Sequence, residues 1–329
     1  MDARRLCTGE TVRWTSGPDG ARAALAFLDG AERDERERVG MDVPLVDEEE
    51  RLRLDGAAAG AAQPGWWGLL VGMGPATGYA GVRAPDGDAD VATSGVAHGD
   101  VAEGDHRSHV AEIAVHPPVE GALTRVVEIA RELAGYRGAP CLDVWVRRVD
   151  DGRRKELVDV GCRVRRTLGV LRRPLGDGST PTGPDGLEIR PATPADDGAI
   201  VEVLEAAHRG TDDGGWTLQR LASRAATTWF RYDDVRLAEA DGIVVGLVWL
   251  KRRDDGVGEI HNLAVRPEAH GRGIGRMLLV AGEDHLRDTG QEEVVLWVDR
   301  DNEPAVRLYE QAGYVTAWDD VLVTTCEVD

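Results

Sequence analysis

Apolar residues fall into two spacings along this chain, and the spacings alternate in a fixed order. In the second half, "EIRPATPADDGAIVEVLEAAH" begins as a strand and continues as a helix, with Thr193 placed to cap it ahead of Pro194. "VRLAEADGIVVGLVWLKRR" reads as two strands around a tight turn at Asp241-Gly242. "VGEIHNLAVRP" predicts a third strand, followed by a glycine-rich stretch and a helix to about residue 289. A strand "EVVLWVDR", a helix "NEPAVRLYEQAG" closed by Gly313, and strand material in "YVTAWDDVLVTTCEV" complete the series.

The first half repeats the plan. "GWWGLLVGMG" and "TGYAGVRAP" can pair as strands, and "HVAEIAVHPP" parallels "VGEIHNLAVRP". "VEGALTRVVEIARELAGY" parallels the helix that follows, and "CLDVWVRRVDDGRRKELVDVGCRVRR" parallels "VVLWVDRDNEPAVRLYEQAGYVTAW". Between the copies, residues 173–187 ("RPLGDGSTPTGPDGL") have the Gly, Pro, Ser and Asp content of a linker. The expectation is α+β: domains over 1–173 and 188–329, each a mixed central sheet flanked by helices, joined through 174–187. A length of 329 residues suits two cores better than one.

Composition narrows the partners. A net charge of −20 argues against tracking a phosphate backbone, so no nucleic acid is expected. No apolar run reaches membrane-spanning length, and "MDARRLCTGETVRW" lacks a signal peptide's apolar core; a cytoplasmic monomer away from membranes is expected. The four cysteines have no metal-ligand spacing and read as buried or free thiols, with no metal implied. Basic residues are nearly all Arg, which draws attention to Lys251, one of only two lysines.

One difference between the copies bears on chemistry. The second half has "EAHGRGIGRM" where the first has "PVEGALTRVV", with Gly121 alone. A helix start carries unpartnered N–H groups and about half a positive charge. Glycines there let an anion reach the backbone. Arg272 and Arg276 add charge, and a pyrophosphate is the guest such a loop suits; a plain Gly-rich turn is the alternative.

"LAVRPEAHGRGIGRMLL" followed by "DNEPAVRLYEQAGY" is similar to the acetyl-coenzyme A motif of the GNAT superfamily of acetyltransferases. His270 stands where the family usually has Gln or Arg, before Gly271, Arg272, Gly273, Ile274 and Gly275; Asn302, Ala305, Tyr309, Glu310 and Gly313 fall into the later segment, with Tyr314 as its aromatic. The resemblance implies an acetyl-CoA-dependent enzyme with two tandem GNAT-like domains, the first with a degenerate loop. It places Glu259 as the base for the amine, directly or through water, and Tyr309 as the acid for the departing thiolate. His261, two residues beyond Glu259, is the second candidate base.

"RRPLGD", "PDGLEIR", "DDGGWTLQRLASRAATTWF" and "GLVWLK" resemble the mycothiol synthase family more narrowly, whose members acetylate the cysteinyl amine of Cys-GlcN-Ins to give mycothiol. By that resemblance acetyl-CoA meets the backbone of Leu263, Ala264 and Val265. It then meets the loop His270, Gly271, Arg272, Gly273, Ile274, Gly275 and Arg276, and finally Asn302, Glu303, Pro304, Ala305, Val306 and Arg307. The small amine meets Asp47, Asp212, Lys251, Glu259 and Trp297, with Trp297 where the family has Tyr and Asp47 where it has Glu. A tandem acetyltransferase for another small amine, and a non-catalytic acetyl-CoA-binding module, are the alternatives.

Overall fold

The computed structural model describes residues 11–14, 18–39, 46, 51, 54–55, 57–60, 66–73, 76–83, 109–116, 120–136, 141–176, 186–211 and 213–326. Its first elements are β1 (Thr11–Trp14), α1 (Pro18–Val39), β2 (Trp66–Met73), β3 (Ala76–Arg83) and β4 (His109–His116). Then come α2 (Ala122–Tyr136), β5 (Leu142–Val149), α3 (Asp151–Asp159) and β6 (Arg163–Pro174). Past the linker follow β7 (Leu187–Pro191), α4 (Asp197–His208), α5 (Leu218–Ala225), β8 (Val235–Ala240), β9 (Ile243–Lys251) and β10 (Val257–Val265). The last elements are α6 (Ile274–Asp288), β11 (Glu293–Asp299), α7 (Glu303–Gln311) and β12 (Val315–Thr324). Among the described residues no helix is long and apolar enough to cross a membrane.

The chain forms two compact units, and the first is not contiguous in sequence. It gathers the elements up to Leu168 and then Trp318 onward, whereas Gly169–Ala317 belongs to the second. The end of β6, which precedes the linker, therefore packs with the second unit. Most of β12 packs with the first.

In the first unit the strand order is β1-β2-β3-β4-β5-β12. β4 and β5 run parallel from His109↔Leu142 to Ile113↔Val146, and the other pairs described are antiparallel. Thr324 pairs with Asp143, which carries the following residues back alongside Cys141. Cys141 and Cys326 form a disulfide with their Cα atoms 5.0 Å apart. The expectation of free thiols is corrected here. The two cysteines stand 185 residues apart, and only strand pairing brings them together. Cys162 is free and buried, and burial pushes its thiol up to about 11.

The second unit has the order β6-β11-β10-β9-β8-β7, with β10 and β11 parallel and β7 to β10 antiparallel. The turn between β8 and β9 has both Asp241 (φ 52°) and Gly242 (φ 77°) in the left-handed region, as a two-residue type I′ turn requires. At the entry to α4, Thr193 N and Oγ1 both donate to Asp196 Oδ2 at 2.8 Å. Residues alternate across the sheet into two cores. Leu250, Ile260, Leu278 and Leu296 lie on the α6 and α7 face, and Leu247, Trp249, Ile200 and Leu204 on the α4 face. Gly246 lets α6 approach β9 closely: a Cβ there would lie 2.9 Å from the Ala264 carbonyl oxygen and from Leu278 Cδ1.

Candidate active site

The site starts with a fault in β10. Against β9 the register runs Ile260↔Leu250 and then Asn262↔Trp249, leaving His261 as the extra residue of a bulge. Alternation is broken at that point, so Glu259, His261 and Asn262 all face the side of Trp249. Contacts agree: the His261 ring lies 5.3 Å from the Trp249 ring, and His208 of α4 meets Asn262 Oδ1 at 3.2 Å. Leu263 then turns to the α6 and α7 face, Ala264 to the α4 face and Val265 back again.

The parallel pairing of β10 with β11 ends at Ile260↔Leu296, at the same level. Beyond it the edge of β10 that faced β11 has no ladder partner in that strand. Leu263 and Val265 thus turn backbone groups to that edge, whereas Ala264, like Arg266, is turned to the β9 ladder; the Val265 carbonyl accepts a hydrogen bond from His270 Nε2 at 2.9 Å. In the first unit the β4–β5 pairing likewise ends before the strands do, at Ile113↔Val146, but no bulge in β4 accompanies it. The β3–β4 register is unbroken there, and Arg147 bonds the buried Glu112 at 3.3 Å and Asp320 at 3.2 Å.

Past Val265 the chain turns into α6 through the glycine loop. Gly271 (φ 74°) and Gly273 (φ 77°) are both left-handed, and no atom lies within 4 Å of where either Cβ would be. Gly273 is the N-cap and has no side chain to accept the first-turn N–H groups. Arg272 and Arg276 are exposed beside it. A helix start with open N–H groups, clear space before it and two cations fits a pyrophosphate, so these residues suit coenzyme A. The second segment begins where Asn302 caps α7, its side chain accepting from Ala305 N at 3.2 Å. Glu303 and Arg307 pair at 2.8 Å on that exposed face, with Pro304 and Val306 in the same turns.

Lys251, Glu259 and Trp297 come together on one face of the sheet. Glu259 pairs with Lys251 on one side and with Val295 on the other, and Trp297 lies two residues beyond Val295. Lys251 Nζ sits 4.7 Å from the centre of the Trp229 ring, which stands 5.1 Å from His261 and 6.1 Å from Trp249. Glu259 Oε1 accepts from His261 Nδ1 at 3.0 Å. Burial pushes the Glu259 carboxyl up, but the hydrogen bond and charge of His261, with Lys251 and Arg253, outweigh it and hold the group down at about 2. Asp47 and Asp212 lie outside the described residues.

Tyr309 of α7 is buried, 5.6 Å from Tyr314 ring to ring, and its hydroxyl has no hydrogen-bond partner among the described residues. Burial drives its pKa well up, so the phenol stays protonated. Tyr314 differs, since its hydroxyl donates to the buried Glu283 at 2.8 Å. The Trp229 and Trp249 walls were missed in the sequence. Nothing local in the sequence tells which face a Trp will take.

A splayed parallel strand pair, a bulge beside it and a glycine-lined helix start define the acetyltransferases of the GNAT class, and a profile of the acetyltransferase (GNAT) family matches residues 201–314. The chain belongs to the mycothiol acetyltransferase family. A mycothiol acetyltransferase of Streptomyces avermitilis is 33% identical over 316 residues, covering 94% of this chain and 92% of that protein. One from Thermomonospora curvata is 42% identical over 161 residues, 48% of this chain and 54% of that protein, so this match spans about half the relative's length. Among solved structures, a tandem GNAT protein from the clavulanic acid biosynthesis pathway covers 97% of this chain and all (100%) of its own with a TM-score of 0.64 at 15% identity, a likeness of fold.

Proposed function

We propose that this chain moves the acetyl group of acetyl-CoA to the cysteinyl amine of Cys-GlcN-Ins, giving mycothiol. The observation that carries the reading is the convergence of Lys251, Glu259 and Trp297 on one sheet face beside the opening between β10 and β11. Acetyl-CoA supplies an activated acyl carbon and a thiol leaving group. The backbone of Leu263 and Val265, the loop from His270 to Arg276 and the start of α7 would hold it. Glu259 with His261 forms the proton-accepting end of the site, and Tyr309 the proton-donating end. A cation at Lys251 suits a neutral or anionic ring substituent better than a polycation, which favours a cysteinyl sugar over an aminoglycoside or polyamine.

Incubating the chain with acetyl-CoA and Cys-GlcN-Ins, and separately with an aminoglycoside and a polyamine, tests this by mass spectrometry of the products. Acetylation of the cysteinyl amine alone is the expected result. Preferred acetylation of a polycation would replace the acceptor, and coenzyme binding without any product would leave a binding module.

A further inference from the structure

We propose that His261 is the group that takes the proton from the acceptor amine, and that Glu259 is the positioning residue that fixes its tautomer. The inference rests on the acetyl transfer proposed above and assigns its first proton step. A carboxylate only accepts hydrogen bonds, so the 3.0 Å contact to Glu259 Oε1 requires the proton of neutral His261 to be on Nδ1. The lone pair is then on Nε2, which has no partner among the described residues. The ring is braced at its edges by Trp229 and Trp249, 5.1 and 5.3 Å away. Its side chain is 19% exposed against 13% for Glu259, so the imidazole is the outer member of the pair.

Electrostatics point the same way. Lys251 and Arg253 lower the Glu259 carboxyl beside the His261 hydrogen bond, which makes it the poorer proton acceptor of the pair. Among the described residues, Glu259 pairs with the ring, Lys251 of β9 and Arg253 after it act on Glu259, and His208 of α4 meets the neighbouring Asn262. Glu259 is the one anion among them, and it offsets the cations when the imidazole gains a proton.

The proton count closes. His261 Nε2 removes one proton from the ammonium, and the freed nitrogen lone pair bonds to the acyl carbon as the carbon–sulfur bond breaks. The thiolate takes the Tyr309 hydroxyl proton, the amide nitrogen's surplus proton restores the phenol, and the imidazolium returns its proton to water.

The test uses the full chain with His261→Gln and Glu259→Gln, acetyl-CoA and the cysteinyl amine. Without its base the enzyme depends on substrate that has already lost a proton. The acidic limb of kcat/KM should then move up in His261→Gln to the range of α-amines, about 7.7–8.0. Turnover near neutral pH should fall by about 10²-fold or more, with coenzyme A affinity kept. In Glu259→Gln the limb should persist with lower turnover. Nitrogen NMR of the wild-type imidazole, which needs no substrate, should show the proton on Nδ1, and Glu259→Gln should lose that preference. An unmoved limb in His261→Gln, or a wild-type imidazole protonated on Nε2, overturns the proposal while leaving the acetyl transfer intact. If His261→Gln does not fold, His261→Asn and the NMR arm decide.

Discussion

Replacing Gly273 by Val strikes the coenzyme loop at a left-handed position that opens a helix. The φ of 77° is left-handed, which costs an L-residue about 1–2 kcal/mol, more when the side chain is β-branched. Nothing lies within 4 Å of the added Cβ, so the folded chain itself has room for it. That same room is where an anion must come to reach the N–H groups of α6. If the free loop relaxes, binding has to restore the strained backbone, and 1–2 kcal/mol corresponds to a rise in Kd of roughly 5–30-fold. The two methyl groups in the anion's path add to that. Gly275→Ala is the internal control: its Cβ would meet Leu308, Leu263 and Val265 at 3.6–3.9 Å, ordinary contact. Calorimetric titration with coenzyme A reads the affinity, and thermal melting reads the fold. Wild-type affinity in Gly273→Val with a folded protein would refute the anion site at this helix start.

Tyr309→Phe should lower turnover by roughly 10²- to 10⁴-fold with an unchanged melting temperature, because the hydroxyl bonds nothing among the described residues; near-normal turnover would return Tyr309 to the core. Since burial raises its pKa, Tyr309 should contribute no basic limb to the rate profile below the tyrosine range, and a limb near pH 8 that vanishes in the Phe variant would contradict this. Gly246→Ala should destabilise the second unit by about 1–3 kcal/mol, seen in denaturant unfolding, because the Cβ would meet a backbone carbonyl 2.9 Å away. Titration should find one coenzyme site per chain. Two equally tight sites would mean that the first unit binds despite the lost glycines.

Much of this was legible in the sequence, because it depends on local chemistry. Asp241-Gly242 tolerates positive φ and made its hairpin; Thr193 caps the 3₁₀ turn Pro194–Asp196 that leads into α4, not α4 itself. Gly271 and Gly273 before an amphipathic run opened α6 as expected, with Gly275 inside its first turn. What could not be read depends on partners distant along the chain. Strict alternation would put Asn262 on the opposite face from Glu259, and only the pairing with Trp249 reveals the bulge that keeps them together. The Cys141–Cys326 bridge and the two walls of indole have the same origin. His261 shows the limit best: as a letter it was one more candidate base, and its distance to Glu259 gave it a distinct role.

Because Trp318 and the residues after it belong to the first unit, the order of synthesis and the order of completion are opposed. Most of the first unit's chain leaves the ribosome before any of the second. Yet its sheet lacks the strand beside β5 until Gly169–Ala317 has been made. During translation the first unit therefore waits with one edge of β5 unpaired, an exposed template for wrong strands. Cutting the gene at the linker would make that waiting state permanent, so the two halves expressed apart should aggregate where the whole chain does not.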